Sequence, residues 1–311
     1  MSLRLPDRVV ERGLLMIAMS SVAILAIITY YIFSEGAPLI FDIGLGNFFS
    51  TDWRPTEGHY GITLMIVGSL VVTAGALIIG VPLGLACAIV LAEMAPPRAR
   101  TVLKPVIEIL AGIPSVVYGF MGIVVLLPWI RSHFGGTGAS ALAGAVILGI
   151  MVLPTIIGIS IDALQAVPKS YRDGSLALGA TQWQTIRRVV LPAARSGLVA
   201  AVILGMGRAV GETMAVIMVA GNSVQMPDSP LDSVRTLTAN IAIEMGYAAG
   251  DHQRALFATG VVLFVIIMVL NGAANLARGR QRKRKAVAAA PTLTAADLAT
   301  AREHARSGGP K

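Results

Sequence analysis

The chain has 311 residues, of which 55% are hydrophobic and only 14% are charged. Soluble domains carry about 25% charged residues, so this composition excludes an ordinary soluble protein and indicates a helical membrane protein. The net charge of +8 could indicate a nucleic-acid binder, so the positions of the charges have to be considered. The single cysteine, Cys87, lies in an apolar run. It predicts neither an internal disulfide nor a metal site, because it has no companion.

Six apolar runs are long enough to cross a hydrocarbon layer about 30 Å thick. In chain order they cover residues 14–33, 62–92, 105–130, 141–161, 197–220 and 255–276. The first run is longer than the roughly 7–15 apolar residues of a secretory signal peptide, and it ends in aromatic residues that are typical of a membrane interface. We therefore expect an all-α membrane protein with six transmembrane helices, of which the first is retained.

The basic residues predict how these spans are oriented. The 25 Lys and Arg residues lie in the segments 1–12, 94–104, 164–196 and 278–311, except for Arg54, Arg131, Arg208, Arg235 and Arg254. Six spans place these four segments on one side, and the positive-inside rule makes that side the cytoplasm. We therefore expect a cytoplasmic N-terminus (1–12), a transmembrane domain (13–277) and a basic, flexible cytoplasmic tail (278–311). This topology explains the positive charge without a nucleic-acid partner.

Several polar residues lie between the predicted spans or near their ends. The outside segment 222–254 contains a semi-apolar stretch, 237–245, that predicts a short interfacial or re-entrant helix. Asn240 and Glu244 lie one helical turn apart on it, and they either line the outer mouth of a pathway or have an interfacial structural role. Three further acidic residues lie near predicted cytoplasmic ends, where we expect their side chains to extend to the interface: Glu93, Glu108 and Asp162.

Charged residues in the fifth predicted span indicate a function. Arg208 lies about 11 residues into the run 197–220, near the bilayer midplane, and Glu212 follows at i+4 on the same helix face. A charge at that depth costs about 2.5–3.5 kcal/mol, so such residues normally face a bundle interior or a polar pathway. A guanidinium suits an oxyanion such as phosphate, because its planar donors bind two oxygens at once. The alternative is a structural ion pair that only fixes helix packing. Gly207 and Gly211 flank the two charged residues, so another helix can approach them closely.

The segment 164–196 is too long and too amphipathic to be a mere connector. Residues 171–178 and 183–190 predict two short helices that are separated at Gly179. Apolar residues occur among the charges of this segment: Leu176, Leu178, Trp183 and Ile186. Such a combination is typical of a docking surface for a cytoplasmic partner. The alternative is a loop that lies on the membrane surface.

This segment also resembles a known motif. Asp173-Gly174-Ser175, Gly179 and Val189-x-Leu191-Pro192 are similar to the Glu-Ala-Ala-x3-Gly-x9-Ile-x-Leu-Pro loop of ABC-importer permeases. The spacing from Gly179 to Pro192 matches fully, whereas Asp-Gly-Ser replaces Glu-Ala-Ala. The resemblance implies a type I importer permease fold and a coupling loop, 164–196, that docks on an ATP-hydrolysing subunit. The docking residues implied are Tyr171, Arg172, Asp173, Gly174, Ser175, Leu178, Gly179 and Trp183.

Three other segments, 110–119, 207–215 and 235–240, resemble the PstC family, the permease subunits of phosphate importers, within a match that covers roughly residues 46–275. The resemblance implies a bacterial inner-membrane protein that pairs with a PstA-like sister permease, a dimer of PstB-like ATP-binding subunits and an extracytoplasmic PstS-like phosphate-binding protein. ATP and Mg²⁺ would be used by the ATP-binding partner, and this chain would bind no cofactor. The pathway residues implied for inorganic phosphate are Arg208, Glu212, Thr213 and Asn240.

Other functions remain as alternatives. The nearest is a permease subunit for another oxyanion, such as molybdate or sulfate. A membrane enzyme that acts on lipid would need a nucleophile, base or metal cluster near an interface, and the sequence offers only isolated candidates such as His133. A passive channel would conduct without an ATPase. Since the chain has no Gly-x4-Gly-Lys-Ser/Thr phosphate loop, we expect it not to hydrolyse ATP by that mechanism and not to be an enzyme.

Overall fold

The computed structural model describes residues 7–288, which are helical almost throughout. Six helices in this part of the chain are long and apolar enough to cross a membrane. In chain order these candidate spans are Glu11–Asp42, Thr63–Met94, Ser115–Phe134, Ala141–Gln165, Gln182–Gly211 and Asp251–Gly272. The predicted all-α fold with six spans is confirmed.

The amino-terminal part of the chain forms the first two spans and a short hairpin between them. Its elements are α1 (Asp7–Asp42), α2 (Leu45–Phe48), β1 (Trp53–Arg54), β2 (His59–Tyr60) and α3 (Thr63–Ile89). The two strands pair antiparallel, with Trp53 opposite Tyr60. The second span continues beyond α3 as a π-helical segment, Val90–Met94, which is a wider turn than an α-helix makes.

The third span begins later than predicted. Residues that were expected to belong to it form a separate helix, α4 (Pro97–Gly112), which buries none of its side chains in this chain. Ile113 is extended (φ −67°, ψ 127°) because it precedes Pro114, and Pro114 has no N–H with which to continue the helix. The span itself consists of α5 (Ser115–Met121), the π-helical segment Gly122–Leu126 and α6 (Leu127–Phe134). The prediction of one run over 105–130 was therefore wrong.

The segment after the fourth span, α7 (Ala141–Gln165), forms two short helices as predicted. They are α8 (Lys169–Ala177) and α9 (Gln182–Thr185). Gly179 separates them with a φ of +82°, a left-handed conformation that glycine adopts without steric cost. A π-helical segment, Ile186–Val190, then joins α9 to the fifth span.

The fifth span is interrupted, which the sequence analysis did not predict. It contains α10 (Leu191–Gly211), and a second helix, α11 (Met214–Val219), follows. Between them Glu212 has an extended backbone (φ −70°, ψ 130°). The expectation of one helix over 197–220 was wrong, and Arg208 lies in the last turn of α10 instead of within a continuous helix.

The carboxy-terminal part contains α12 (Leu237–Glu244), which confirms the short helix predicted over 237–245, and α13 (Asp251–Ala288). The chain divides into two compact units, Met1–Asn271 and Gly272–Lys311. Of the second unit the structure describes residues 272–288, which are helical. The remainder of the predicted tail, 289–311, and residues 1–6 of the predicted N-terminal segment lie outside the described residues.

The centre of the first unit is the contact between α3 and α7. A methyl group on Gly80 would lie 2.7 Å from Val152 Cγ2, and one on Gly84 would lie 2.8 Å from Ile156 Cγ2. In a bilayer such close approach stabilises helix pairs, because lipid tails are as apolar as leucine and burial alone gives little. α10 and α11 complete this core through Ala209, Ala215 and Val216.

The first span packs against the sixth span, α13. The ring centroids of Tyr31 and Phe257 are 5.5 Å apart, and those of Phe33 and Phe264 are 5.7 Å apart. No residue in the apolar window of α1 is buried inside the chain. Most of its surface is therefore free of neighbours within the described part of the chain.

Candidate functional site

Arg208 lies at the level of the middle of the bundle. Its Nη1–H donates a 3.3 Å hydrogen bond to Thr155 Oγ1, and Thr155 is near the centre of α7. Its position in the last turn of α10 also stabilises the guanidinium, because the carbonyl end of a helix carries partial negative charge. The side chain is exposed within this chain. Arg208 is therefore level with the middle of α7 and lies in the last turn of α10, and its depth in a bilayer stays a prediction.

Glu212 does not pair with Arg208 as the sequence predicted. No ion pair within 4.0 Å joins these two residues in the described chain, since the extended backbone at Glu212 breaks the i, i+4 geometry. Glu212 Oε1 instead accepts a 3.3 Å hydrogen bond from the backbone N–H of Ala215. That bond satisfies an N–H group in the first turn of α11, which has no partner within the helix. The carboxylate thus stabilises the start of α11.

The break between α10 and α11 is held by neighbouring hydroxyl groups. Thr213 Oγ1–H donates to Gly211 O at 3.3 Å, and Thr238 Oγ1–H of α12 donates to Glu212 O at 3.1 Å. Irregular backbone at membrane depth is tolerated only where protein surrounds it or where it lines a polar cavity. Glu212 and Thr213 therefore form the break itself, one turn beyond Arg208, and the pathway role of the three residues stays a prediction.

The face of α10 that carries Arg208 is open. A methyl group placed on Gly207 or Gly211 would meet no atom of the described chain within 4 Å. Leu204, one turn before Arg208, is exposed as well. The close helix contact that the two glycines predict is therefore not made within the described residues.

Asn240 lies on α12 and is fully buried. Among the described residues it shares no hydrogen-bond partner with Arg208. Its Oδ1 accepts a 3.1 Å bond from Arg235 Nη1–H, and its Nδ2 has no partner within the described residues. The same Arg235 nitrogen donates to Glu244 Oε1 at 2.6 Å. Asn240 thus belongs to a buried polar cluster with Arg235 and Glu244, and its pathway role stays a prediction.

Two more residues complete this buried polar cluster, and no sequence pattern marks either of them. Trp53 Nε1–H donates to the two carboxylate oxygens of Glu244 at 3.1 Å, and His252 Nε2 lies 2.8 Å from Glu244 Oε2. Glu244 is 5% exposed. Three parts of the chain therefore bind the Glu244 carboxylate: the hairpin before the second span, the segment before α12 and the start of the sixth span.

The predicted coupling loop presents apolar side chains to the surroundings. Leu178 is 90% exposed, and Tyr171, Leu176 and Trp183 are each about half exposed. Asp173, Gly174 and Gly179 are exposed too, and Ser175 Oγ lies 2.9 Å from Thr185 Oγ1. Ile186 is 2% exposed, so the prediction that it is an anchor for a partner was wrong. It is the first residue of the π-helical segment Ile186–Val190 and packs inside the chain.

Arg172 differs from the rest of this loop because its guanidinium is turned into the protein. Its Nε and Nη2 donate to the two carboxylate oxygens of Glu93 at 3.1 Å and 2.6 Å. The hydrogen-bonded carboxylate raises the pKa of Arg172 above its ordinary value. The Glu93 side chain is only 8% exposed, so the expectation that it extends to the interface was wrong.

The other two acidic residues expected at the interface, Glu108 and Asp162, are exposed in this chain. They line a cavity of about 170 Å³ together with Lys104 and Gly158. This cavity lies between α4 and α7. Their exposure agrees with the predicted position of both carboxylates at the edge of the bundle.

Comparison with known proteins identifies the family. Residues 80–283 match the family described as "Binding-protein-dependent transport system inner membrane component". The chain is 50% identical to the probable ABC transporter permease protein YqgH of Bacillus subtilis over 222 residues. This alignment covers 70% of the present chain and 72% of the relative. It is 37% identical over 243 residues to the phosphate transport system permease protein PstC of Xylella fastidiosa, which covers 72% and 75% respectively.

A solved structure supports the same assignment for the fold. A bacterial ABC transporter involved in the import of the acidic polysaccharide alginate contains a chain that matches with a TM-score of 0.57 at 16% identity. The match covers 88% of this chain and 98% of that chain. The chain therefore belongs to the binding-protein-dependent transport system inner membrane components, the permeases of ABC importers, and is a multi-pass inner-membrane protein with the type I importer fold.

Proposed function

We propose that the chain is the transmembrane permease subunit of an ATP-driven phosphate importer, in which it forms half of the translocation pathway. The substrate is suggested by relatives that are named phosphate transport system permease protein PstC, such as the 37% identical one from Xylella fastidiosa. The observation that carries the proposal is the position of Arg208, a guanidinium at mid-bundle depth on an open helix face. A guanidinium at that place offers paired N–H donors to a tetrahedral oxyanion.

The open face of α10 is completed by a sister permease subunit. Gly207 and Gly211 have no neighbour in the described chain, so another helix can come close to Arg208 on that side. A phosphate ion passing between the two subunits meets Arg208 from this chain and a counterpart from the sister. Glu212 and Thr213 hold the broken helix in place, one turn beyond Arg208.

Energy for transport enters through the segment 164–196. Its exposed side chains Tyr171, Leu178 and Trp183 form an apolar patch on a charged surface, which suits docking to a dimer of ATP-binding subunits. ATP and Mg²⁺ belong to those subunits, and this chain catalyses no reaction of its own. The basic segments, including this loop and both termini, face the cytoplasm by the positive-inside rule.

The mechanism that follows is alternating access. An extracytoplasmic phosphate-binding protein releases its anion to the outer side of the paired permeases. Closure of the ATP-binding dimer moves the docked loops together and reorients the two bundles, so that the anion held at Arg208 is freed to the cytoplasm.

The test is uptake by the complete complex in proteoliposomes, with the binding protein added outside and ATP inside. We expect ATP-dependent accumulation of radiolabelled phosphate that excess unlabelled phosphate abolishes and excess sulfate or molybdate does not. Accumulation of molybdate or sulfate without phosphate would contradict the choice of substrate. Phosphate flux in the absence of ATP would contradict the coupled mechanism and favour a passive channel.

A further inference from the structure

The loop proposed to dock on the ATPase is attached to the bundle in an unusual way. Helix α8 of this loop buries none of its residues, so apolar packing does not hold it. Its principal link to the spans is the guanidinium of Arg172. Four N–H···O hydrogen bonds leave this group, of which two go to Glu93 and two go to backbone carbonyl groups.

One of the two carbonyl groups belongs to the last turn of the fourth span, and the other lies two residues beyond its end. Arg172 Nη1–H donates to Val167 O at 2.7 Å, and Nη2–H donates to Leu164 O at 2.9 Å. Helix α7 ends at Gln165, and the last carbonyl groups of a helix have no partner within it. Arg172 thus binds the end of α7 and a carboxylate of the second span with one planar group. A lysine could not replace it, because it has a single nitrogen.

Glu93 is held from several sides as well. It lies in the π-helical segment Val90–Met94, and π-helical turns within helices are frequent at functional sites. Gln182 Nε2–H of α9 donates to Glu93 O at 3.0 Å, so the second short helix of the loop is attached to the same residue. Arg100 fixes the preceding turn through hydrogen bonds to Leu91 O at 2.9 Å and Ala92 O at 2.6 Å. Glu93 is therefore a fixed attachment point on the second span for both short helices of the loop.

We propose that Glu93 and Arg172 form the joint that transmits movement of the coupling loop to the second and fourth spans. The proposal rests on the function proposed above, since it requires an ATPase docked on that loop. A bidentate ion pair that is largely excluded from water fixes both distance and angle, whereas an exposed helix with no buried side chain would slide. This ion pair joins the loop to the second and fourth spans, whose close contact forms the centre of the bundle. Glu93 and Arg172 are positioning residues and touch neither phosphate nor ATP.

The experiment compares basal ATP hydrolysis, hydrolysis stimulated by the phosphate-loaded binding protein, and phosphate uptake in the reconstituted complex. The variants are Glu93→Gln, Arg172→Lys, Arg172→Gln and the double variant Glu93→Gln/Arg172→Gln. We expect each single variant to lose most of the stimulation, measured as the ratio of stimulated to basal hydrolysis, and to reduce phosphate uptake at least tenfold. The double variant should be no worse than Arg172→Gln alone, because both changes remove the same joint.

A merely structural role would give a different result. It would lower the amount of folded complex and reduce basal hydrolysis, stimulation and uptake in proportion, with an unchanged ratio of stimulated to basal rate. Arg172→Lys keeps the charge opposite Glu93, so it preserves folding and remains informative if the neutral variants do not assemble. A wild-type ratio in Arg172→Lys, or additive losses in the double variant, would overturn the proposal.

The same experiment separates this proposal from the proposed function. If the wild-type complex neither takes up phosphate nor binds an ATPase, the proposed function is refuted, and the proposed role of Glu93 and Arg172 in coupling is refuted with it. If the wild-type complex is coupled and the variants are coupled as well, only the joint is refuted. Trp183→Ala is the contrasting variant. It should reduce co-purification of the ATPase and leave the ratio of stimulated to basal hydrolysis unchanged in the complexes that do assemble.

Discussion

Trp53 and Glu244 lie 191 residues apart in the sequence and are joined by hydrogen bonds of 3.1 Å from the indole N–H to both carboxylate oxygens. Arg235 and His252 contact the same carboxylate, and all of these groups are largely buried. Removal of one partner from such a cluster leaves the other charged group desolvated and unpaired, which is costly.

We therefore expect Glu244→Ala to lower the free energy of unfolding by about 3 kcal/mol, since Arg235 loses its buried partner. A lower midpoint of thermal unfolding of the purified complex would report this loss of stability. Glu57→Ala is the matched control, because Glu57 pairs with Arg54 at 2.7 Å on an exposed surface and its loss should leave the midpoint unchanged. Equal effects of the two changes would show that the buried cluster contributes no more than a surface pair.

Arg208→Gln is expected to abolish phosphate uptake while membrane insertion and assembly stay normal. Arg208 bonds only to Thr155 within the described chain, so the fold does not depend on it. Arg208→Lys should retain part of the activity, because lysine keeps the charge and loses the planar pair of donors. Arg195→Gln removes the same charge from the other end of α10 and should have little effect. Unchanged uptake in Arg208→Gln would reduce Arg208 to a packing residue.

Leu178→Asp is expected to prevent the ATP-binding subunits from co-purifying, with no effect on the stability of this chain. The reason is that Leu178 is 90% exposed and contributes almost nothing to the interior. Leu231→Asp makes the same change on an exposed leucine of the segment between α11 and α12. Full recovery of the ATPase with the Leu178 variant would remove the loop from the interface.

Gly80→Val is expected to destabilise the bundle by about 1–3 kcal/mol, because the added side chain meets Val152 and the backbone of Gly149 at less than 3 Å. Gly158→Val is the control, since no atom of the described chain lies within 4 Å of a methyl group on Gly158. Thermal unfolding of both variants in the same detergent compares them. A stable Gly80 variant would show that α3 and α7 can separate without loss.

The hairpin before the second span predicts a pH dependence. Hydrogen bonds from Arg54 lower the pKa of Asp52 from 3.8 to about 2. A carboxyl group with a lowered pKa stabilises the fold above its ordinary pKa, and this contribution disappears as the pH falls from about 4 to about 2. Asp52→Asn should therefore flatten the dependence of the thermal midpoint on pH in that window. An identical slope in the variant and the wild type would contradict the assignment.

The hydrophobic pattern was sufficient to predict six spans and the break at Gly179, because span length and glycine conformation are local properties. It was not sufficient for the fifth span. Apolar residues continue through α11, so the run 197–220 gives no sign that the helix ends at Gly211. The break depends on Thr238 Oγ1 and the Ala215 N–H, which are contacts that a single sequence does not reveal.

The two buried carboxylates show the same limit at longer range. Glu93 was expected to reach water because it lies near a span end, and its partner Arg172 is 79 residues away. Glu244 was noticed for its helical spacing from Asn240, but neither Trp53 nor His252 is marked by any sequence pattern. Local sequence thus predicted the elements and the pathway candidates, whereas the ion pairs that join the elements required the tertiary structure.

The open face of α10 has a consequence for biosynthesis. An orphan copy of the chain would hold Arg208 against lipid, at a cost of about 2.5–3.5 kcal/mol, and would leave nearly the whole of α1 unsupported. If a sister subunit covers this face as proposed, cells that lack that subunit should degrade the chain faster than cells that make both.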